Sequence, residues 1–254
     1  MKNIRMTVDG AIGRITLARP EKKNALDRAT ADELAEALFA LSESPVRVVA
    51  IDGEGSDFCT GADLEALEKM LDAPRQAHVD DAKALGHVFH TIRRMDKPVV
   101  ALVKGRAYAG GAGLATACDI VLAHEDARFA YPEVTIGFVP AMVMTMLRRS
   151  VGEKQAFDLV STGRILSADE AKAIGLVSRV FAGKEFAGLS QAVLDQLAKH
   201  PAGAIAATKA LFYKLDNLGF LDAISAGIVA NADARLTADF REGVKRFTTR
   251  RKDQ

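Results

Sequence analysis

Two loops rich in small residues are the segments of this chain whose composition is best suited to chemistry. "DGEGSDFCTGAD" (residues 52–63) follows an apolar segment and leads into a helix-like segment, and "KGRAYAGGAG" (residues 104–113) does the same. The first amides of a helix have no acceptor within the helix and lie at the positive end of its dipole. Two such helix starts that converge could hold an oxygen atom as it becomes negatively charged in a reaction.

The glycines of the second loop also have a purely structural explanation. Gly110, Gly111 and Gly113 could permit a helix to pack closely against a sheet, and the glycines alone favour this explanation. The segment does not match the GxGxxG motif of dinucleotide-binding loops, and no GK[ST] follows as in a P-loop. The glycines therefore do not indicate a nucleotide site.

Acid–base and metal-binding residues are sparse around these loops. Glu133, in "FAYPEVTIGFVP", precedes a loop with glycine and proline, but a lone glutamate is usually a surface residue. His87 and His90 share a helical face, yet no third ligand is spaced to complete a metal site. The sequence contains no GxSxG elbow and no CxxC pair, so we expect no metal, and we expect Cys59 and Cys118 to be buried free thiols.

Alternating strand and helix patterns must position the two loops. "IRMTVDG" and "IGRITL" predict a hairpin with a turn at Asp9-Gly10. The continuous apolar runs "VRVVAIDG", "KPVVALVKG" and "DIVLAHE" predict strands buried on both faces of a parallel sheet, with helices between them. The predicted fold class is therefore α/β, and both loops lie at the carboxyl ends of strands, where open parallel sheets bind ligands.

Helix starts are marked by capping residues. Thr30 with Glu33 predicts a capping box, and Ser167 with Glu170 predicts a second one. Asp63 is a candidate N-cap for the helix that follows the first loop.

The C-terminal part of the chain has a different organisation. From about residue 184 onward nearly every segment has a helical pattern, with breaks near Pro201 and Gly219. We therefore predict an α/β core over residues 1–195 and a helical C-terminal region over residues 196–254.

Size and charge exclude several classes of function. The 254 residues suffice for one large domain, and the net charge of +1 gives no global field that would attract nucleic acid or anionic lipid. The basic residues of 245–252 are interpreted as the solvated end of a helix. No apolar window is long enough to span a membrane, and the N-terminal segment lacks the apolar run of a secretion signal, so we expect a cytoplasmic location.

Several separated motifs resemble one known family. "SDFCTGADL", "KPVVALVKGRAYAGGAGLATACDIVLA", "ARFAYPEVTIGFVP" and "STGRILSADEAKAIGLVSRVF" occur in the order seen in the enoyl-CoA hydratase/isomerase (crotonase) superfamily. The resemblance covers roughly residues 4–250. It implies a superhelix of ββα units followed by helices that assemble the chain into trimers, which often pair into hexamers.

The resemblance also implies a substrate and a set of site residues. The substrate would be an acyl-CoA thioester, with coenzyme A as part of the substrate and no separate cofactor. The amides of Ala62 and Gly110 would bind the thioester oxygen as it becomes an enolate, and Glu133 would transfer the proton. The resemblance places substrate and coenzyme A against the remaining predicted site residues: Lys23, Ala25, Thr60, Gly61, Asp63, Leu64, Gly111 and Gly113.

One departure from the family pattern bears on the reaction. Family hydratases carry a second glutamate at the position of Gly113, whereas this chain retains only Glu133. Hydration needs a base for water and an acid for the α-carbon, but one carboxylate can move a double bond. The resemblance therefore favours Δ3,Δ2-enoyl-CoA isomerisation, with a Glu133 whose pKa is raised by apolar surroundings.

Alternatives to isomerisation stay open at the level of the sequence. A 2-enoyl-CoA hydratase could use Tyr131 or Asp126 as its second proton carrier. A non-catalytic member could bind acyl-CoA or RNA, and the basic C-terminal residues are the sequence feature that would serve RNA.

Overall fold

The chain folds into two β-sheets with helices packed around them, in a computed structural model that describes residues 1–250. The strands are β1 (Ile4–Asp9), β2 (Ile12–Leu17), β3 (Val48–Gly53), β4 (Val99–Val103), β5 (Arg106–Tyr108), β6 (Ile120–His124), β7 (Arg128–Ala130), β8 (Leu166–Ser167) and β9 (Arg179–Phe181). The helices are α1 (Arg28–Glu43), α2 (Leu64–Glu68), α3 (Arg75–Arg94), α4 (Gly110–Ala117), α5 (Ala141–Val151), α6 (Glu153–Thr162), α7 (Ala168–Ala173), α8 (Phe186–Lys199), α9 (Ala202–Lys214), α10 (Phe220–Leu236) and α11 (Ala238–Arg250).

The larger sheet has six strands in the order β1-β2-β3-β4-β6-β9. The β1–β2 pair is the predicted antiparallel hairpin, and β2, β3, β4, β6 and β9 pair in parallel. The predicted hairpin and the three predicted buried strands are therefore confirmed. The smaller sheet, in the order β5-β7-β8, was not predicted, because strands of two or three residues are too short to show alternation.

Burial on both faces explains the continuous apolar runs of the central strands. In β3, Val49 and Ile51 face the main core, whereas Val48 and Ala50 face a second cluster that includes Leu194 of α8. These four residues of β3 are completely buried. A strand with helices on both sides has no solvent-facing positions, so it loses the polar–apolar alternation of a half-exposed strand.

The predicted cap of α1 is wrong by three residues. Asp27 is the N-cap, and its side chain accepts a hydrogen bond from the Thr30 amide at 2.8 Å. Glu33 does not close a capping box, because its carboxylate accepts instead from the amides of Asn3, at 2.7 Å, and Ile4, at 3.1 Å. Aspartate caps a helix as well as threonine does, and the tertiary contact with the first strand decides between the two candidates.

The other predicted helix boundaries agree with the structure. Asp63 caps α2, and Ser167 with Glu170 forms the capping box of α7. Pro201 and Gly219 directly precede α9 and α10. Local capping chemistry therefore suffices to locate these helix boundaries.

A buried polar cluster attaches the C-terminal helices to the core. Among the described residues of α9, only Lys209 is buried, and its Nζ donates to Asp119 Oδ2 at 2.6 Å. The same ammonium donates to the carbonyl oxygens of Ile92, at 2.7 Å, and Lys97, at 2.9 Å. Asp119 Oδ1 accepts from the Tyr213 hydroxyl at 2.6 Å. Directional hydrogen bonds to a charged group therefore fix α9 where apolar burial is slight.

The last helices expose many large apolar side chains. In the part of the chain that the structure describes, α10 buries none of its residues. None of the helices within residues 1–250 is long and apolar enough to cross a membrane. The basic segment 245–252 lies in α11 up to residue 250, and its last two residues lie outside the described part. The exposed apolar residues of α10 include Phe220, Leu221, Ile224, Ile228, Val229 and Leu236.

We predict that Lys209→Met lowers the free energy of unfolding by about 3 kcal/mol, because it leaves the partly buried Asp119 carboxylate without its cation. Lys214→Met changes an exposed lysine of the same helix and should change that free energy by less than about 0.5 kcal/mol. Urea unfolding of both variants at one protein concentration measures the difference. Equal effects of the two substitutions would show that the cluster does not hold α9.

Candidate active site

A cleft of about 720 Å³ opens at the carboxyl ends of the strands. Its walls are formed by residues within 21–31, 60–70, 106–110 and 132–143, with three residues of α3. These segments follow β2, β3, β4 and β7 along the chain. The cleft therefore lies at the edge of the sheet that the strand pattern predicts.

Two backbone amides in the cleft have no acceptor. Ala62 and Gly110 both line the cleft, and neither amide donates a hydrogen bond to any residue within 1–250. On either side of Ala62, the Gly61 carbonyl accepts from the Leu26 amide at 2.7 Å and the Asp63 amide donates to the Leu26 carbonyl at 2.8 Å. These flanking bonds fix the Ala62 peptide, so its N–H is held ready for an external acceptor.

The two loops that carry these amides touch each other through glycine. Gly61 has a φ of +94°, and a Cβ built on it would lie 2.7 Å from Ala109 Cβ and 3.2 Å from the Gly110 nitrogen. The Tyr108 amide also donates to the Cys59 carbonyl at 2.9 Å, which joins the loops at the base of the cleft. Any side chain at position 61 would therefore push the two helix starts apart.

The residue before Gly110 has a strained backbone. Ala109 adopts φ +48° and ψ −123°, a region that residues with a Cβ rarely occupy. Such a conformation costs about 1–3 kcal/mol and persists only where neighbouring contacts enforce it. Here the Ala109 amide donates to the Ala130 carbonyl at 2.9 Å, and the Ala109 carbonyl accepts from Gly113 at 2.9 Å. Backbone strain is thus concentrated at Ala109, the residue whose conformation sets the orientation of the Gly110 amide.

Two arginines anchor the loops, and sequence reasoning missed both. Asp57 is buried and accepts from the Arg106 amide, at 3.0 Å, and from its guanidinium, at 2.7 Å. These hydrogen bonds hold the pKa of Asp57 at about 2. The Arg19 guanidinium contacts Asp63 at 2.8 Å and Asp27 at 3.2 Å. The pairs of Arg106 with Asp57 and of Arg19 with Asp63 join residues far apart in the sequence, so no local motif indicates them.

Glu133 begins a single 3-10 turn, Glu133–Ile136, and it lines the cleft. The residue is 8% exposed, and Oε2 is buried with no hydrogen-bond partner among the described residues. Burial raises the pKa of this carboxyl above its usual value, in the direction the sequence predicts. A carboxylate with little solvation is a stronger base than one in water.

The structure divides the remaining predicted contact residues into two groups. Gly61, Gly111 and Gly113 are buried and do not line the cleft, so their contact with a substrate stays a prediction. A Cβ on Gly111 would lie 2.2 Å from the Cys59 carbonyl oxygen, so this glycine serves close packing. The predicted residues that do line the cleft are Lys23, Ala25, Thr60, Asp63 and Leu64.

The space beside Gly113 is filled by apolar side chains. A Cβ at this position would lie 2.5 Å from Val143 Cγ2 and 3.2 Å from Phe89 Cζ. Because both neighbours are buried, a larger side chain here would force the α4–α5 contact open. Close packing, the explanation that the composition favoured, therefore accounts for Gly113.

The other candidate proton carriers and metal ligands lie outside the cleft. Tyr131 is completely buried, burial raises the pKa of its phenol, and it does not line the cleft. Asp126 is exposed and does not line the cleft either. Cys59 and Cys118 are buried free thiols, as predicted. Within residues 1–250 no group of three histidine, cysteine or acidic side chains could hold a metal ion.

Known proteins share this sequence and architecture over nearly the whole chain. The family model described as enoyl-CoA hydratase/isomerase matches residues 7–254. A Thermus thermophilus protein that bears an enoyl-CoA hydratase name is 40% identical, over 95% of this chain and 96% of that protein. The trans-2-decenoyl-acyl-carrier-protein isomerase of Streptococcus mutans is 27% identical, over 99% of this chain and 97% of that protein.

Solved structures give the same result for the fold. The enoyl-CoA hydratase of Mycobacterium smegmatis has a TM-score of 0.92 at 33% identity, over 98% of this chain and 96% of that chain. Human enoyl coenzyme A hydratase domain-containing protein 3 has a TM-score of 0.93 at 28% identity, over 98% of both chains. These likenesses confirm the predicted fold class, an α/β core of the crotonase type with a helical C-terminal region.

The raised pKa of Glu133 predicts a pH dependence of stability for Glu133→Gln. Well below pH 4 the carboxyl is protonated in both the folded and the unfolded chain, so the difference in stability between the variant and the parent does not change with pH there. As pH rises, the unfolded carboxyl ionises first, and the parent loses stability until the pH passes the folded pKa. The free energy of unfolding of Glu133→Gln, relative to the parent, should therefore increase with pH and then level off.

Urea titrations between pH 4.5 and pH 8 measure this difference. Glu68→Gln, which removes an exposed carboxylate from α2, should show no comparable increase. A difference for Glu133→Gln that stays flat or falls over this range would contradict the buried, poorly solvated state of the carboxylate.

Proposed function

Because this chain belongs to the enoyl-CoA hydratase/isomerase family, we propose that it is an enzyme that acts on an acyl-CoA thioester through an enolate. The amides of Ala62 and Gly110 bind the thioester oxygen, and Glu133 transfers the proton. One observation supports these roles: two amides without acceptors and a buried carboxylate oxygen without a donor occur at the same cleft. Coenzyme A enters as part of the substrate, and the proposal invokes no separate cofactor.

The two amides favour the transition state over the ground state. As a proton leaves the α-carbon, negative charge moves onto the thioester oxygen, and fixed N–H donors stabilise that charge without reorganising. Loss of one such donor typically costs about 2.7–4 kcal/mol of transition-state stabilisation. The contact of Gly61 with Ala109 keeps both donors in place before the substrate arrives.

We propose that the reaction is the isomerisation of a 3-enoyl-CoA to a 2-enoyl-CoA. Glu133 removes a proton from the α-carbon, and the electron pair is delocalised into the thioester and held by the two amides. The same carboxyl then returns the proton to the γ-carbon while the double bond moves to the α,β position. The atoms balance without water, so one carboxyl suffices. A pKa raised above the usual value by burial helps this carboxyl both to take up the proton and to return it.

Hydration of a 2-enoyl-CoA is the second candidate, and the names of several relatives favour it. It needs a second proton carrier, and Val143 and Phe89 occupy the space beside Gly113 where one would stand. Of the other acidic residues that line the cleft, Asp27 and Asp63 are paired with Arg19. Glu65 is paired with Lys22, whereas Glu21 and Asp81 line the cleft without an ion pair within the described residues. A hydratase would therefore have to use one of these two carboxylates.

We further propose that the chain works as a trimer or as a hexamer of two trimers. The exposed apolar residues of α10 support this proposal, because a patch of this size is costly to leave in water. The C-terminal helices, residues 196–254, are the proposed assembly region, and the core over residues 1–195 carries the cleft.

A panel of 2-enoyl- and 3-enoyl-CoA esters, incubated in deuterated water and followed by mass spectrometry, tests the reaction. We expect deuterium at the γ-carbon with no gain of water, and we expect Glu133→Gln to lower turnover at least about 100-fold. Glu68→Gln is the matched control and should retain turnover. Water addition would establish hydration instead, and its loss in Asp81→Asn or in Glu21→Gln would identify the second carboxylate. Binding of CoA esters without any turnover would show a binding protein rather than an enzyme.

Light scattering tests the assembly. We expect a mass three or six times the 27.2 kDa of one chain, and a smaller species for the double variant Ile224→Glu/Ile228→Glu, because buried charge opposes association. Phe39→Glu is the matched control, since Phe39 is equally exposed but lies on α1, outside the C-terminal region. A monomeric parent, or dissociation by the control alone, would contradict the assignment of the interface.

A further inference from the structure

Tyr131 is fully buried and does not line the cleft, although it lies only two residues before Glu133. We propose that Tyr131 and Thr116 are positioning residues, whose hydrogen bond holds the helix of Gly110 against the turn of Glu133. The inference rests on the proposed function, because it concerns how the Gly110 amide and the Glu133 carboxylate are held at a fixed distance and orientation.

The direction of each hydrogen bond follows from the groups involved. Thr116 Oγ1 lies 2.7 Å from the Ala112 carbonyl oxygen, which can only accept, so the threonine donates its single proton there. Thr116 Oγ1 also lies 2.8 Å from the Tyr131 hydroxyl, and with its own proton committed it must accept from the tyrosine. Burial raises the pKa of Tyr131, so the phenol stays protonated as a donor across the neutral range.

The bond crosses between the two segments that carry the site. Thr116 belongs to α4, the helix that begins at Gly110, whereas Tyr131 precedes Glu133 by two residues. In the same region the Ala109 amide donates to the Ala130 carbonyl at 2.9 Å. The segment before the helix is therefore joined to the segment before Glu133 by the parallel pairing of β5 with β7, which the Ala109–Ala130 bond extends, and the helix itself is joined to it by one side-chain bond.

The bond between Tyr131 and Thr116 constrains the helix itself, whereas the backbone bonds constrain the residues that precede it. The β5–β7 pairing and the Ala109–Ala130 bond hold the backbone up to the residue before α4. The Tyr131–Thr116 bond lies nearly two helical turns further along α4, so it also limits rotation of the helix about its first residues. A small rotation would change the distance between the enolate oxygen and the carboxylate, and misplacements on the order of 1 Å reduce turnover by about 100-fold.

Exchange of the α-protons of hexanoyl-CoA with deuterated water measures the coupled action of amides and carboxylate, whichever net reaction the enzyme performs. We expect Tyr131→Phe and Thr116→Val each to lower kcat for exchange about tenfold or more, with KM within about twofold. Thr116→Ser keeps the hydroxyl and should restore kcat to within about threefold of the parent. The double variant should be no slower than the slower single variant, because each single substitution already removes the bond between Tyr131 and Thr116.

Urea unfolding of each variant separates positioning from stability, and Thr145→Val, on the exposed side of α5, is the matched control. Normal kcat in variants that are only less stable, or a Thr116→Ser variant as slow as Thr116→Val, would overturn the inference. If Thr116→Val does not fold, the kcat values of Tyr131→Phe and Thr116→Ser test the inference. A slow Tyr131→Phe with a nearly normal Thr116→Ser supports it, and equal kcat values contradict it. A parent that exchanges no proton from any acyl-CoA would overturn the proposed function as well.

Discussion

The close approach of two backbone segments, at Gly61 and Ala109, is the constraint on which the cleft depends. No side chain fits between them, and the positive φ of Gly61 leaves the Ala62 peptide facing the same space as the start of α4. The main donors of the site are therefore peptide groups rather than side chains. Their placement depends on how well the surrounding sheet and helices hold two loops in contact.

Around this contact the protein leaves polar groups unsatisfied where a folded chain normally pairs them. Two amides have no acceptor, and Glu133 Oε2 has no donor in the described part of the chain. Elsewhere the same loops are well paired, through Asp57 with Arg106 and through Asp63 with Arg19. The two amides and Glu133 line the same cleft, and a ligand with a carbonyl and an acidic C–H bond complements them.

Sequence patterns identify those parts of the fold that depend on neighbouring residues. The hairpin, the buried strands and the caps Asp63 and Ser167 are of this kind, and so is the position of the two loops at the carboxyl end of the sheet. Contacts between distant segments decide those features of the fold that no local sequence pattern identifies. The cap of α1 and the bond between Tyr131 and Thr116 leave no local signal, and Gly111 and Gly113 match the composition of a binding loop although they pack against the core.

The packing of Val143 against Gly113 restricts the order in which this chain could acquire a second acid. Glutamate at position 113 would meet Val143 Cγ2 before any space existed for it, so that change alone damages the fold. Shortening of Val143 first would leave only a small void, which a protein of this size tolerates. An evolutionary route from a one-carboxylate site to a two-carboxylate site therefore has to pass through α5 before it reaches α4, although the new acid belongs to α4.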